Sequence, residues 1–251
     1  MKKPYIGVTG FVSSNEVELI CLEIFQKMVS ANHLLMVGVL ASSRDMNHRR
    51  PNRYPPEDLI PMIFPRRPFL LNLIHYHTNK PEILYEELRW MTDKADANLD
   101  GFQLNMSWPN PRTIEKYCRA FSDMKIVLQI GNHALDIVHH SPGLLAEKVK
   151  EYDGLIDYVL LDESVGLGKL LDVNKTRRYL DAITETGMDI GLGIAGGLGP
   201  ATIDHISALL KDFPSLSIDA EGCLRDEKDN LDVDLTLDYL NKSLDFFSSK
   251  V

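Results

Sequence analysis

The sequence lacks the features that mark membrane, secreted and nucleic-acid-binding proteins. No run of residues approaches the roughly 18 uninterrupted apolar residues of a membrane span, and the start carries no long apolar stretch typical of a signal peptide. Positive charge is scarce, with 27 Lys and Arg against 36 Asp and Glu and a net charge of −9 at pH 7. Because nucleic-acid-binding surfaces usually present a dominant positive field, we expect a cytoplasmic protein without nucleic-acid or membrane partners.

Cysteine is also scarce. The three thiols, Cys21, Cys118 and Cys223, lie far apart without CxxC spacing, which favours neither a disulfide framework nor a zinc knuckle. No low-complexity tract or linker divides the 251 residues, of which 44% are apolar. We therefore expect residues 1–251 to form a single domain able to bury a sizeable core.

What the sequence does contain is a regular alternation of short apolar runs and longer amphipathic segments. Such alternation is typical of strands that feed helices around a parallel sheet. The runs that we interpret as strands are Tyr5–Val8, Leu34–Leu40, Phe69–Ile74, Gly101–Leu104, Ile126–Ile130, Ile156–Leu161, Ile190–Ile194 and Leu216–Ile218. Eight strands in about 250 residues predict a TIM (β/α)8 barrel, whose chemistry lies at the C-terminal ends of the strands.

The segments between these strands carry the helical spacing of apolar residues. The predicted helices are Glu16–Ser30, Lys80–Ala97, Pro111–Phe121, Pro142–Tyr152, Asn174–Thr186, Pro200–Lys211 and Val233–Phe247. Proline in the first turn fits three of these starts. The second unit is irregular, because residues 41–67 contain five prolines and six arginines. We expect a long rim loop there, with one short helix near Glu57.

Two glycine turns follow the seventh and eighth predicted strands. Residues 196–200 read Gly-Gly-Leu-Gly-Pro, and residues 219–222 read Asp-Ala-Glu-Gly. An isolated glycine pair usually makes only a tight turn, but glycine also lets the backbone approach an anion, and free amides at a helix start attract negative charge. Barrels commonly hold phosphate between these two loops. The pattern therefore predicts a phosphate site formed by Gly196, Gly197, Ala220 and Gly222.

Several short motifs, in order along the chain, resemble those of phosphoribosylanthranilate isomerase, the tryptophan-pathway barrel that performs an Amadori rearrangement. Residues 196–200 resemble its Gly-Gly-Leu-Asn-Pro phosphate loop, and Leu160-Leu161-Asp162 with residues 166–169 resembles its Leu-Leu-Asp strand and Gly-x-Gly-Lys loop. Residues 102–104 are similar to its Gln-Leu-His strand, and residues 42–44 to its Ser-Pro-Arg turn. The resemblance implies a barrel of the ribulose-phosphate-binding type and a phosphorylated substrate.

The resemblance also implies roles for individual residues. Asp162 matches the family's general acid, whereas Thr9 lies where the family has a cysteine that acts as general base. A threonine hydroxyl does not ionise near neutral pH without a strong base beside it, so we expect Thr9 to occupy the base position without being an adequate base. The other implied site residues are Arg44, Gln103 and Asn105 for substrate, with Asn105 replacing a histidine, and Gly168 for phosphate.

Two acidic residues lie beside these positions in the sequence, and the direction of each side chain decides how it affects the site. Glu221 stands where the family has a small polar residue, and its carboxylate would repel phosphate unless it points away or pairs with Arg225. Glu163 could replace the missing base, but successive strand residues point to opposite faces. Only one of Asp162 and Glu163 should therefore face the centre of the barrel.

A histidine pattern opens a different interpretation. His75 and His77 follow the third predicted strand, and strand alternation would place both rings on one side. Together with His133 and Asp162 they could form the metal site of a hydrolase. No HExxH motif or carboxylate-rich cluster accompanies them, so we expect no metal.

The leading hypothesis is an enzyme similar to phosphoribosylanthranilate isomerase that acts on a phosphorylated sugar derivative by acid and base catalysis, without a cofactor. One alternative is a barrel that binds a phosphorylated metabolite without turnover, as the missing cysteine would permit. The other is the metal-dependent hydrolase. The sequence fixes neither the substrate nor the oligomeric state, and a homodimer stays open.

Overall fold

Eight parallel strands form a closed barrel in the computed structural model, which describes residues 2–42, 52–95, 98–164 and 170–248. Neighbours along the chain pair in order from β1 to β8, and β8 pairs with β1 to close the sheet. The strands are β1 Tyr5–Thr9, β2 Leu34–Ser42, β3 Leu70–His77, β4 Gly101–Leu104, β5 Lys125–Gly131, β6 Tyr158–Asp162, β7 Gly191–Ala195 and β8 Ser217–Ala220. The prediction of a TIM (β/α)8 barrel is confirmed.

Helices connect the strands on the outside of the barrel. They are α1 Ser14–Ser30, α2 Ile60–Ile63, α3 Leu84–Ala95, α4 Pro111–Ala120, α5 Asn132–Ile137, α6 Pro142–Lys150, α7 Val173–Thr184, α8 Ser207–Asp212 and α9 Val233–Ser248. Short 3-10 turns lie at Pro81–Ile83, Ile203–Ile206 and Gly222–Leu224. No helix in the described ranges is long and apolar enough to cross a bilayer.

Local sequence explains where several helices begin. Ser13 and Glu16 form a capping box before α1, in which the Ser13 amide donates to the Glu16 carboxylate at 3.0 Å. Asn110 caps α4 and Ser141 caps α6, and each is followed by a proline at the first helical position. Side-chain oxygens thus satisfy amides that have no partner within these helices.

The apolar core has two layers. A continuous cluster lies between the sheet and the helices, and a smaller one fills the barrel interior. The interior cluster consists of Tyr5, Met36, Leu71, Leu73, Val127, Tyr158, Leu160 and Ala195. This packed floor leaves the C-terminal ends of the strands as the place where polar side chains can converge.

Two helical predictions were imprecise, and one helix was not predicted. The helix predicted from Pro200 does not start there: Thr202 donates its hydroxyl to the Gly197 carbonyl at 2.7 Å, a 3-10 turn follows, and α8 begins only at Ser207. The short helix of the rim segment begins at Ile60, with Pro61 in its first turn, after Glu57. The helix α5 directly after β5 was not anticipated.

Candidate functional site

A chain of hydrogen bonds crosses the C-terminal end of the barrel and joins two buried carboxyl groups. Asp162 is the last residue of β6, and Asp219 lies in β8, with Ala195 of β7 between them in the sheet. Gln129 of β5 donates to Asp162, and Gln103 of β4 donates to Asp219. The two glutamines are themselves bonded, at 3.1 Å, so four side chains form one connected network.

The orientation of Asp162 is fixed by partners on both oxygens. Its Oδ2 accepts from Nε2 of Gln129 at 2.9 Å. Its Oδ1 accepts from the amide and the hydroxyl of Ser164, at 3.0 and 2.7 Å. The next residue, Glu163, points away and forms an ion pair with Lys175 at 2.6 Å. Asp162 is therefore the member of this pair that belongs to the network.

Asp219 is the strongest site candidate that sequence reasoning missed. Burial raises the pKa of its carboxyl group to about 7, although hydrogen bonds from Gln103 and Thr9 oppose this shift. Gly7 provides the room, since a Cβ at Gly7 would lie 2.7 Å from Oδ1 of Asp219. The signal was a lone acidic residue one position beyond the predicted strand Leu216–Ile218, read there only as part of a glycine turn. A carboxyl group with a pKa near 7 can exchange a proton at neutral pH.

Thr9 lies directly against this carboxyl group. Its Oγ1 donates to Asp219, at 3.0 Å from Oδ1 and 3.2 Å from Oδ2. Gly38 on β2 leaves space for the hydroxyl, because a Cβ there would approach Oγ1 within 2.6 Å. Thr9 therefore serves as a donor that fixes Asp219, and the basic group of the pair is the carboxylate.

Gln103 and His75 complete the interior polar layer. Nε2 of Gln103 lies 3.3 Å from Nδ1 of His75. Burial lowers the pKa of His75 to about 4, against the opposing charge of Asp162, so the ring is neutral at physiological pH. Oε1 of Gln103 and Nε2 of His75 are buried and have no hydrogen-bond partner among the described residues.

The two glycine turns meet at one small cavity. Gly196 and Gly197 adopt positive φ angles of 120° and 63°, a conformation that favours glycine. Together with Ala220 and Gly222 they line a cavity of about 30 Å³ that also touches Asp162 and Asp219. The structure thus brings the four predicted phosphate-site residues together beside the carboxyl network.

Glu221 also lines this cavity, but its partner differs from the one considered from sequence. Its Oε1 lies 2.5 Å from Nη1 of Arg53, whose guanidinium also contacts Asp229 at 2.6 Å. Arg225 instead donates to the carbonyl groups of Gly10 and Thr9, at 3.0 and 3.3 Å. Arg53 therefore neutralises Glu221 at the rim.

A larger cavity of about 540 Å³ adjoins the small one, and His75, Gln129, Asp162 and Glu221 line both. Its outer wall is polar and includes Asn105, His77, Asn132 and His133. Trp108 turns away from it and donates its indole N–H to the Ala134 carbonyl at 2.9 Å. The predicted substrate residue Arg44 and phosphate residue Gly168 lie outside the described residues.

The histidines show no metal-binding arrangement in the part of the chain that the structure describes. Within it, no group of three or more His, Cys, Asp or Glu side chains could hold one ion. His77 has its Nδ1 2.7 Å from the Asn105 carbonyl and its Nε2 3.2 Å from the side chain of Asn79. The interpretation as a metal-dependent hydrolase gains no support from these residues.

Comparison with known proteins relates the chain to others by fold. No protein-family model and no curated protein matches it. Phosphoribosylanthranilate isomerase from Thermotoga maritima is similar, with 14% identity, coverage of 99% of this chain and 100% of that chain, and a TM-score of 0.54. Triosephosphate isomerase from Bartonella henselae gives 11% identity, 88% and 93% coverage, and a TM-score of 0.55.

The catalytic domain of a chitinase from Pyrococcus furiosus is similar to the same degree, with 11% identity, 98% and 97% coverage, and a TM-score of 0.57. The two isomerases and the chitinase catalyse different reactions on a shared architecture. The chain has the fold of TIM-barrel proteins, and its activity has to be argued from the site itself.

Proposed function

We propose that this barrel isomerises a phosphorylated sugar derivative by transferring a proton between two carbon atoms, in an aldose-ketose or Amadori-type reaction like that of phosphoribosylanthranilate isomerase. The observation that carries the proposal is the pair of buried carboxyl groups, Asp162 and Asp219, connected through Gln129 and Gln103 beside the glycine turns. Acid and base catalysis commonly uses two titratable groups that lie in different environments.

In this proposal Asp219 is the general base and Asp162 the general acid. The raised pKa of Asp219, about 7, makes its carboxylate a better proton acceptor than an exposed aspartate at neutral pH. Thr9, which stands where the resembling family has its cysteine, holds Asp219 in place through its hydroxyl. The base function has moved from the end of β1 to β8, which lies beside it in the closed sheet.

The phosphate group would be bound by backbone amides of Gly196, Gly197, Ala220 and Gly222, with Gly168 contributing from the loop after β6. Among the described residues the amides of Gly196 and Gly197 donate to no other group. Asn105, which lines the larger cavity, and Gln103, which lines the small one, would contact the remainder of the substrate. Arg44 stays a substrate-binding prediction from the resemblance. Both isomerases named above share the barrel fold, which supports this assignment by analogy only. A homodimer stays a prediction that light scattering would check.

Hydrogen exchange tests the proton transfer without knowledge of the net reaction. The protein is incubated in D2O with phosphoribosylanthranilate and with pentose and hexose phosphates, and NMR follows loss of the C–H next to the reacting centre. We expect exchange by the wild type and a loss of about 10²- to 10⁴-fold in Asp162→Asn and in Asp219→Asn. Phosphate-ligand affinity of both variants, measured by calorimetry, should change little.

Glu163→Gln is the matched control, because this carboxylate lies next to Asp162 but pairs with Lys175 outside the network. Its exchange rate should equal that of the wild type. Unchanged exchange in Asp219→Asn would remove Asp219 from the mechanism. Binding of sugar phosphates by the wild type without any exchange would instead support the non-catalytic barrel, and activity gained only by Thr9→Cys would indicate a lost reaction.

A further inference from the structure

His75 lines the site and carries a buried polar atom that no group among the described residues satisfies. The residue is only 6% exposed and lines both the small and the larger cavity. Its Nε2 has no hydrogen-bond partner among the described residues, and neither has Oε1 of Gln103, which is 1% exposed and lines the small cavity. Buried polar atoms without partners are destabilising, so each such atom in a folded protein calls for an explanation.

The groups around Nδ1 of His75 favour one of its two neutral tautomers. Oδ2 of Asp162 accepts from the amide nitrogen of Gln129, which leaves Oε1 of Gln129 facing Gln103. That oxygen in turn requires the amide nitrogen of Gln103, and this same nitrogen lies against Nδ1 of His75. This NH2 group has two hydrogens for three neighbours, because it also lies 3.2 Å from Oδ2 of Asp219. It offers no acceptor, so a hydrogen on Nδ1 of His75 would have no partner there, and we assign the ring hydrogen to Nε2.

We propose that His75 is a catalytic residue whose neutral imidazole donates its Nε2–H to the carbonyl oxygen of the substrate, and that Gln103 Oε1 accepts from the adjacent hydroxyl. This inference rests on the proposed isomerase function and deepens it. One unpaired donor and one unpaired acceptor in one polar layer match an α-hydroxy carbonyl group. The substrate class is therefore the open-chain α-hydroxy carbonyl form of a phosphorylated sugar.

The step balances without a change in the charge of His75. The Asp219 carboxylate removes the proton from the carbon that bears the hydroxyl, and the C–H electron pair forms a carbon–carbon double bond. The carbonyl electron pair moves to oxygen, and the resulting enediolate accepts a hydrogen bond from Nε2. Asp162, as the general acid, protonates this oxygen and then removes the proton of the neighbouring hydroxyl, whose oxygen becomes the new carbonyl. The electron pair of the carbon–carbon double bond takes the proton held by Asp219 onto the former carbonyl carbon, so both carboxyl groups return to their starting states. Burial, which lowers the pKa of His75 to about 4, keeps the ring neutral throughout.

His33 supplies a matched control within the same chain. It is also buried, its pKa is likewise lowered to about 4 by burial, and its Nε2 also lacks a partner among the described residues. It precedes β2 at the opposite end of the barrel and stacks on Phe247 at 3.8 Å. A ligand effect seen at His75 and absent at His33 therefore reports on the site and not on burial.

The first test is NMR of the ¹⁵N-labelled wild-type protein, with His75 assigned from the missing signal in His75→Gln. A long-range ¹H–¹⁵N spectrum should show the Nε2–H tautomer, unchanged between pH 6 and pH 8. Addition of 2-phosphoglycolate, a phosphorylated oxyanion probe, should shift the Nε2–H signal of His75 and the amides of Gly196 and Gly197. Inorganic phosphate alone should shift only the glycine amides.

The outcomes separate this inference from the proposed function. Glycine shifts without a His75 shift, or an Nδ1–H tautomer, would overturn the role of His75 and leave the phosphate site standing. No shift at either place with the probe would overturn both. In the exchange assay, His75→Leu should lose about 10²- to 10³-fold in kcat with little change in KM, and His75→Gln should recover part of it.

His33→Leu should leave the exchange rate at the wild-type value while lowering the melting temperature by a similar amount to His75→Leu. Equal losses of exchange in the two leucine variants would show that His75 has a structural role and no catalytic one. If the wild type exchanges no substrate proton, the NMR experiment alone decides whether His75 contacts the ligand.

Discussion

The two halves of the barrel interior differ in chemistry although the same eight strands build both. Below the C-terminal ends the interior is filled by apolar side chains, which are Tyr5, Met36, Leu71, Leu73, Val127, Tyr158 and Leu160. At the C-terminal ends it is filled by Thr9, His75, Gln103, Gln129, Asp162 and Asp219. Buried polar groups contribute stability only when all are satisfied, and two atoms of this second layer are not. The apolar layer thus stabilises the fold, and the polar layer retains features that only a ligand would complete.

The largest expected effect that separates the layers is a pH dependence of stability arising from Asp219. Its folded pKa of about 7 exceeds the unfolded value of about 3.9, so the folded state binds the proton more tightly. The contribution of Asp219 to the free energy of unfolding is fully present below about pH 4 and is lost as the pH rises through 7. From pH 5 to pH 8 the difference between wild type and Asp219→Asn should fall by about 3 kcal/mol.

Urea unfolding of both proteins at each pH measures this difference, and groups common to both proteins cancel. A difference that stays constant across the range would show that burial does not raise the pKa of Asp219.

A methyl group at Gly7 should damage the polar layer through packing alone. The added Cβ would lie 2.7 Å from both Oδ1 of Asp219 and Cε of Met36, so the carboxyl group and the methionine must shift. We expect Gly7→Ala to lower the free energy of unfolding by about 1–3 kcal/mol and to reduce hydrogen exchange.

Gly143 offers the control for this substitution, because a Cβ there meets nothing within 4 Å. Gly143→Ala, in the first turn of α6, should change stability by less than about 1 kcal/mol and leave exchange intact. Full exchange activity in Gly7→Ala would mean that the position of Asp219 is not critical.

The smallest expected effect lies in the apolar layer and has the opposite sign. The hydroxyl of Tyr5 is buried without a partner among the described residues, while its ring packs edge-on against Tyr158 at 5.2 Å. Tyr5→Phe should therefore raise the free energy of unfolding by about 1 kcal/mol. Tyr158→Phe should lower it by about 1 kcal/mol, because that hydroxyl donates to the Lys3 carbonyl at 2.6 Å. Thermal unfolding of the two variants tests this contrast, and equal shifts would contradict it.

Much of the fold could be predicted because each strand is marked by a short apolar run in the local sequence. The strand Gly101–Leu104 was predicted with its observed bounds, and the other seven differ by at most three residues at either end. The prediction of a helix starting at Pro200 was wrong, because the Thr202 hydroxyl donates to the Gly197 carbonyl and favours tighter turns before α8. Periodicity of apolar residues does not report such side-chain capping.

The site was harder to predict because its contacts join distant strands. Asp162 and Gln103 were identified from short motifs, but their connection depends on Gln129, which no motif marks. The ion pair of Arg53 with Glu221 spans 168 positions in the sequence. The register between neighbouring strands decides which inward-facing residues share a layer. This register cannot be read from the sequence of one strand alone.

The contact between Gly10 and Arg225 has a consequence for how this protein can diverge. Gly10 has a φ of +103°, and a Cβ there would lie 1.6 Å from Nη2 of Arg225, whose guanidinium donates to the Thr9 and Gly10 carbonyls. A side chain at position 10 would therefore displace the guanidinium of Arg225 from these two carbonyl groups. We expect homologous chains that keep this arginine contact to keep glycine at position 10, and chains without the arginine to retain only the constraint set by the positive φ.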